Sequence, residues 1–393
     1  MFPVAMTTKT VTINQDMKAL VPTIPEVAEY VLRACWAARQ RILMRVERSS
    51  HGTCRLNAEA VVKLPIPLPP LREQQRIVNK VDQLMTLCDD LDAKQAKKRE
   101  VGDRLTKAAL GALTSAEGPD ELRVAWKRVA ENFEDLIDRT EQVGQIRQGV
   151  IDLLLLGRVV PPTADSAKHV ENAITASNPR REEPVSVEKP TQGIGWLRVS
   201  LRLVLAEPLA NGRSVPDDPK GFPVLRLSAL RDKYVNFSEH KLGAWTAKQA
   251  APFVVQEGDL LFVRGNGAIR LVGRACIAGK PPSPIAFPDT SIRGRPDLTL
   301  VEPLWLWYAW ESRLVRQQIE SKTRTSAGIY KISQDDLYGI QLPLPTLEEQ
   351  RCLLAKLEHW MKLCDDLEAS LRRRDERAIK LAEAIVSEVV GWR

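Results

Sequence analysis

Residues 67–93 read PLPPLREQQRIVNKVDQLMTLCDDLDA, and residues 343–369 read PLPTLEEQRCLLAKLEHWMKLCDDLEA. The stretches are identical at 14 of 27 positions, at a constant offset of 276 with no gap. Self-similarity of this strength means one structural unit used twice. Each copy begins with an extended PLP segment, because proline disfavours helix in the residue before it. A helix follows. In the second copy Thr346 and Glu349 have the spacing of a capping box. In the first, Pro70 replaces the threonine, and Glu73 sits in the first turn, where the helix dipole favours a carboxylate. Apolar residues then recur at Ile77, Val81, Leu84, Cys88 and Leu91, and at Leu353, Leu357, Trp360, Cys364 and Leu367. Both series step by four and three, the seam of a coiled coil. The second stripe runs on through Leu371, Ala378, Leu381 and Ile385. Two nearly identical seams can bury one another, which predicts antiparallel pairing of the repeat helices. The alternative is that each stripe is the buried side of one globular helix. On either reading Cys88 and Cys364 are small buried hydrophobes. Asp89-Asp90 and Asp365-Asp366 are then solvated or interhelical charges, not a catalytic pair.

The repeat extends upstream. Ser50, Gly52 and Arg55 align with Ser326, Gly328 and Lys331, and Leu56–Val61 with Ile332–Leu337. Between the copies, Glu121–Leu156 keeps a helical apolar period until Gly157 and Pro161-Pro162 stop it. Residues 163–195 are rich in Pro, Ser, Glu and Lys and read as a flexible linker. Residues 196–341 change character. Short apolar runs (Val224–Leu227, Leu260–Val263, Leu271–Val272, Leu298–Val301) are divided by turn signals such as Asn211-Gly212, Gly265-Asn266-Gly267 and Gly294. One amphipathic helix is expected around Leu304–Glu320, and its Trp305, Trp307 and Trp310 belong to a core. The fold class is therefore α+β, with mixed domains joined by long helices that pair as an antiparallel coiled coil. The divisions are 1–66 (remnant of a first domain), 67–162 (helical spacer), 163–195 (linker), 196–342 (second domain) and 343–393 (second helical region).

Composition excludes several classes. With 393 residues, 44% apolar and 27% charged, the chain is neither disordered nor fibrous. No apolar run approaches a membrane span, and Met1–Thr10 lacks the pattern of a secretory signal. The expectation is a cytoplasmic protein. Lys and Arg number 57 against 50 Asp and Glu, a net charge of +7 that permits a polyanionic partner. The six cysteines and four histidines show no zinc-ligand spacing, so no metal is expected. A phosphate-binding P-loop is absent, and Asn178-Pro179-Arg180 lacks the aromatic continuation of an adenine methyltransferase. Pro216-Asp217 with Lys220 is too sparse for a nuclease. The chain is expected to be non-catalytic and to need no cofactor.

The twin L-x-E-Q helices at Leu71–Gln74 and Leu347–Gln350, each after a PLP segment, resemble the specificity subunit of type I restriction-modification systems. Gly258–Ala275 resembles the strand-turn-strand of that family's target recognition domains, and Ile146–Pro161 the end of its central helical region. The resemblance implies a DNA reader whose two recognition domains each read half of a bipartite site. It implies helices that set the spacing and dock methyltransferase subunits, and an ATP-driven restriction subunit completing the assembly. DNA reading needs cations for phosphates and polar groups for base edges, and the loops of 196–341 offer both: Arg264, Asn266 and Arg270 around a glycine turn, Arg293 and Arg295 around Gly294, and Lys322, Arg324 and Lys331 in a basic loop. About 80 residues at the front of the first domain have no counterpart. A truncated product, a misplaced start or a half-reader that associates with a second copy would each account for that. The rival expectation is a coiled-coil scaffold, a degenerate relative that no longer reads DNA.

Overall fold

The computed structural model describes residues 4–14, 17–44, 46–48, 54–55, 63, 65–116, 118–177, 187–188, 196–326 and 328–390. The upstream extension of the first repeat, Leu56–Val61 with Ser50 and Gly52, lies outside the described residues. The chain forms two compact units, Met1–Val101 and Gly102–Arg393.

In unit 1, helices α1 (Ala28–Ala37) and α2 (Arg39–Leu43) precede a short antiparallel hairpin, β1 (Glu47–Arg48) with β2 (Cys54–Arg55). The start of the long helix α3 (Leu71–Ser115) follows the extended proline segment. Tyr30, Cys35, Ala38, Ile42 and Val78 are buried, with Ile66 packed on Ala38 and Ile42. Arg33 of α1 pairs with Asp82 of α3. From Leu84 onward this part of α3 is exposed on all sides, Leu84, Cys88 and Leu91 included. The buried Cys88 expected from the period is thus corrected: no described residue of unit 1 covers the stripe there.

Unit 2 begins with the end of α3, then α4 (Pro119–Glu131), α5 (Phe133–Leu136) and α6 (Thr140–Leu155). The single helix expected over 121–156 is three. Gln142 is the reason for the last break: its side-chain oxygen accepts from the N–H groups of Asp138 and Arg139 at 2.9 and 3.1 Å, capping α6 where it starts. The expected linker is also partly structured. Ser166–Ser177 is a helix, α7, whose Val170 and Ile174 enter the main core beside Ile151, Leu154 and Leu155. Only two large apolar residues four apart mark its buried side, too few for its polar composition to betray a helix.

Among the described residues, the α+β part has four small antiparallel sheets. One orders β10 (Ala275–Ile277), β8 (Leu260–Val263), β11 (Ser291–Pro296) and β5 (Leu205–Asn211). The second orders β14 (Gln341–Pro343), β4 (Arg198–Ser200) and β3 (Val187–Glu188). The third pairs β6 (Asp217–Leu225) with β7 (His240–Gly243), and the fourth is β12 (Arg324–Ser326), β13 (Ile329–Lys331) and β9 (Gly265–Asn266). A single helical turn capped by Thr246, α8 (Ala247–Ala250), follows β7. Leu260–Val263 is buried throughout, as a fully covered strand requires. Gly294, expected at a turn, lies inside β11 opposite Leu260, where a Cβ would stand 2.9 Å from the Phe262 ring. The helix expected around 304–320 is split into α9 (Pro303–Trp310) and α10 (Arg313–Lys322) by Ser312, whose hydroxyl caps α10 at Val315. The three tryptophans are core or packed on it, and each indole N–H donates to a backbone carbonyl: Trp305 to Pro343, Trp307 to Ala275 and Trp310 to Gly273.

After α11 (Gln334–Tyr338), the chain enters β14 and then α12 (Leu347–Val390). The second seam is covered within its own unit. Leu353 and Leu357 sit in the α+β core, and Cys364 and Leu371 pack on Leu136, Ile137 and Val143. Burial pushes the Cys364 thiol up. Arg147 of α6 bridges to Asp365 at 2.5 Å and Glu368 at 2.8 Å, so Asp365 is an interhelical charge. Beyond Leu371 every described side chain of α12 is exposed, including Leu381 and Ile385. No described helix is long and apolar enough to cross a membrane.

The capping box forms: Glu349 accepts from the Thr346 backbone and hydroxyl, both at 2.9 Å. It also accepts from Ser166 at 2.6 Å and from the Thr163 N–H and hydroxyl at 3.1 and 2.9 Å, fastening the start of α7 to α12. Burial works to raise its pKa, but these bonds from Ser166, Thr163 and Thr346 outweigh it and hold the carboxyl below its ordinary range. A lowered pKa stabilises the fold above the unfolded value, and that stabilisation is lost as the pH falls through the lowered one. We therefore expect Glu349→Gln to cost ~1–2 kcal/mol at neutral pH. The gap from the parent, followed by thermal denaturation, should close in acid; a gap independent of pH would refute the assignment.

Candidate nucleic-acid interface

Of the eight residues expected to read DNA, the structure gathers Asn266, Arg324 and Lys331 on one small sheet, with Arg264 at its border. The register sets Arg324 opposite Lys331, Thr325 opposite Tyr330 and Ser326 opposite Ile329; Tyr330 and Lys331 then pair with Asn266 and Gly265. Strand alternation places Arg324, Ile329 and Lys331 on one face and Thr325, Tyr330 and Asn266 on the other. Tyr330 packs on the main core. On the opposite side Arg324 (85% exposed), Ile329 and Lys331 face solvent. Two like charges directly opposite each other destabilise a strand pair unless an anion lies between them. The connecting turn uses Gly328 at a φ of 77°, which glycine adopts without strain.

Arg264 enters β9 with an exposed side chain and a fixed backbone: its N–H donates to Thr290 at 2.9 Å and its carbonyl accepts from Ile332 at 3.0 Å. Gly265 lets β9 approach closely, since a Cβ there would lie 3.3 Å from the Lys331 side chain. Gly265-Asn266 is therefore a strand, not the expected hairpin turn. Asn266 accepts from the Ala268 N–H at 3.1 Å and shapes the turn that follows. Arg270 is exposed on that turn, which Arg316 braces by donating to the carbonyls of Val272 and Ile269 at 2.8 and 3.0 Å. Lys322 ends α10, half-buried, at the helix terminus that favours a cation.

Arg293 and Arg295 require correction. Arg295 grips the buried Asp259 with Nε and Nη2 at 2.8 and 3.1 Å and Glu207 with Nη1 at 2.7 Å. Arg293 is buried and donates to the other oxygen of Glu207 at 2.9 Å. Both guanidinium groups are committed to bracing β11 against β5 and β8, and neither can reach a groove. Sequence spacing brings arginines beside a glycine to notice but cannot show which acids answer them from strands 36 to 88 residues away.

Reading along the chain also missed what the L-x-E-Q glutamine does, although it is identical in both copies. Gln74 donates to the Pro69 carbonyl at 2.7 Å and Gln350 to that of Pro345 at 2.8 Å, each bending the proline segment into its helix. A second parallel lies further upstream. The Tyr30 hydroxyl donates to the Pro67 carbonyl at 2.7 Å, and the Trp305 indole to the equivalent Pro343 carbonyl at 3.2 Å. The duplicated unit thus includes a helix before the PLP segment.

A basic, exposed sheet in a chain built on two long repeat helices defines a class: a mixed-domain, helix-linked binding protein with no metal cluster among the described residues. Comparison with known proteins supplies its relatives. The model of the type I restriction modification DNA specificity domain matches residues 3–100. The Escherichia coli type I restriction enzyme EcoEI specificity subunit is 25% identical over 364 residues, covering 87% of this chain and 61% of that protein. The EcoAI specificity subunit, also from Escherichia coli, is 23% identical, covering 83% and 58%. The chain therefore spans about three fifths of the length of these curated relatives. Among solved structures, the HsdS subunit from Thermoanaerobacter tengcongensis superposes with a TM-score of 0.36 at 19% identity, over 90% of this chain and 68% of that one. A type I restriction-modification assembly gives 0.47 at 20% identity, over 93% and 70%. Over more than four fifths of its length the chain is thus similar to type I restriction enzyme specificity subunits.

Proposed function

We propose that this chain reads DNA for a type I restriction-modification complex, contacting at least half of a bipartite target with the exposed face of β12 and β13 and the neighbouring Arg264. The observation that carries the reading is the like-charged pair Arg324 and Lys331, exposed and directly opposed. A polyphosphate backbone is the natural counter-charge for such a pair. Asn266, Arg270 and Lys322 border the same surface. The chain contributes recognition only; methyl transfer, ATP hydrolysis and cleavage belong to methyltransferase and restriction subunits.

Docking of those subunits, and any pairing of the repeat helices, falls to the apolar stripes left uncovered: Leu84, Leu87 and Leu91 on α3, and Leu381 and Ile385 on α12. The scaffold reading shares these stripes, so the two readings separate on DNA alone. Random duplexes titrated with the full chain plus methyltransferase subunits should bind, with a steep loss of affinity as salt rises. Assembly without a salt-sensitive DNA complex, and with no preferred sequence selected from a random pool, would favour the scaffold.

A further inference from the structure

The two copies of the repeat share their latches but not their cover. In unit 2 the proline segment is a covered edge strand, β14, paired with β4. Gln341, Leu342 and Pro343 pair antiparallel with Ser200, Val199 and Arg198, and the Leu344 N–H donates to the Leu197 carbonyl at 2.8 Å. Leu344 is 1% exposed. Gln350 is fully engaged: its NH2 donates to Leu300 and Pro345, and its oxygen accepts from the Glu302 N–H at 2.8 Å.

The same positions in unit 1 are open. Leu68, the counterpart of Leu344, is 71% exposed. Ile77 and Val81 are half-buried where Leu353 and Leu357 are fully covered. Gln74 is 4% exposed, yet its side-chain oxygen has no hydrogen-bond partner. A buried acceptor left unpaired costs free energy that a donor would recover. What Gln74 lacks is the group that Glu302 supplies to Gln350, a backbone N–H from a segment lying over the helix start. What Leu68 lacks is the strand that covers Leu344.

We propose that unit 1 is an acceptor for an extended polypeptide segment from outside these 393 residues. The segment adds antiparallel to residues 65–68, with apolar side chains at alternate positions, as Leu197 and Val199 have. This is strand addition, in which the main chain supplies affinity and alternate side chains supply fit. The chain's own strand of this kind, β4, is already consumed in unit 2. The occupant is the leading strand of a recognition-domain front, and its arrival completes a second domain around Tyr30, Ile66 and Gln74. None of the DNA-facing residues takes part, so the peptide experiment below and the DNA titration can fail independently.

The probe is a fluorescent peptide of residues 194–203, titrated into the full chain. We expect saturable binding near one equivalent, with slowed amide exchange across residues 65–74. Leu68→Asp should weaken binding at least tenfold without altering the melting curve, because Leu68 is exposed. A peptide carrying aspartate in place of both Leu197 and Val199 should not bind. Absence of saturable binding together with unchanged exchange at residues 65–74, or binding indifferent to Leu68→Asp, overturns the proposal. So does protection confined to residues 341–344, which would mean the peptide merely exchanges with β4.

Discussion

Leu357→Asp unfolds unit 2. Leu357 is fully buried in the main core with Leu353, Trp305 and Leu342. That cluster is apolar, so the new carboxylate must either ionise unpaired or take up a proton there. Either course costs several kcal/mol, about 4 or more, against a total stability of ~5–15 kcal/mol for a typical domain. The expected observation is loss of the near-ultraviolet signal of the buried tryptophans and of a cooperative thermal transition. Leu84→Asp is the control. It occupies the same seam in the first copy but is exposed, and should change stability by no more than ~0.5 kcal/mol. If the two seams existed only to bury each other, the two substitutions would cost similar amounts. A near-native melting curve for Leu357→Asp would show that the core assigned to α12 is misplaced.

The different fates of Leu357 and Leu84 show how far a repeat can be read from its sequence. The period of four and three was legible, and so were the capping box at Thr346 and Glu349, the helix start after each PLP and the core role of the tryptophans. Periodicity says that one side of a helix is covered; it does not name the cover. The second seam meets α6 and the α+β core because Val143, Leu136 and the strand residues converge there, which is tertiary information. The first seam beyond Val81 has no cover among the described residues of its unit. The candidate site divided on similar lines. Arg264, Asn266, Arg324 and Lys331 stand in two segments about 60 residues apart, and strand register brings them together. Arg293 and Arg295 carry the same local signature yet are paired within the fold, because Glu207 and Asp259 bear no local mark of their role. The opposite facing of Tyr330 and Ile329 is not legible in the sequence, since only pairing shows that one faces the core and the other the solvent.

The joint substitution Arg264→Ala, Arg324→Ala and Lys331→Ala should weaken duplex binding by about 100-fold at moderate salt, taking ~1 kcal/mol for each charge-assisted hydrogen bond to phosphate that the variant can no longer form. The sharper expectation concerns salt. Each phosphate neutralised contributes close to one counterion, so removing three cations should flatten the plot of log affinity against log salt by about 2–3. The fold should survive, because all three side chains are exposed and the acid paired with Arg324, Asp336, stands 4.0 Å away. Arg295→Met supplies the opposite pattern: it strands the buried Asp259, lowers the melting temperature, and leaves the salt slope of the remaining folded protein unchanged. If the triple variant keeps the parent slope, the face formed by β12 and β13 does not touch phosphate, and the opposed cations Arg324 and Lys331 need another explanation. If affinity falls equally for every duplex while preference among sequences persists, these residues grip the backbone, and base reading lies with their neighbours Asn266 and Arg270. Should sequence preference relax as well, at least one of the three reaches a base edge, and single substitutions would then assign it.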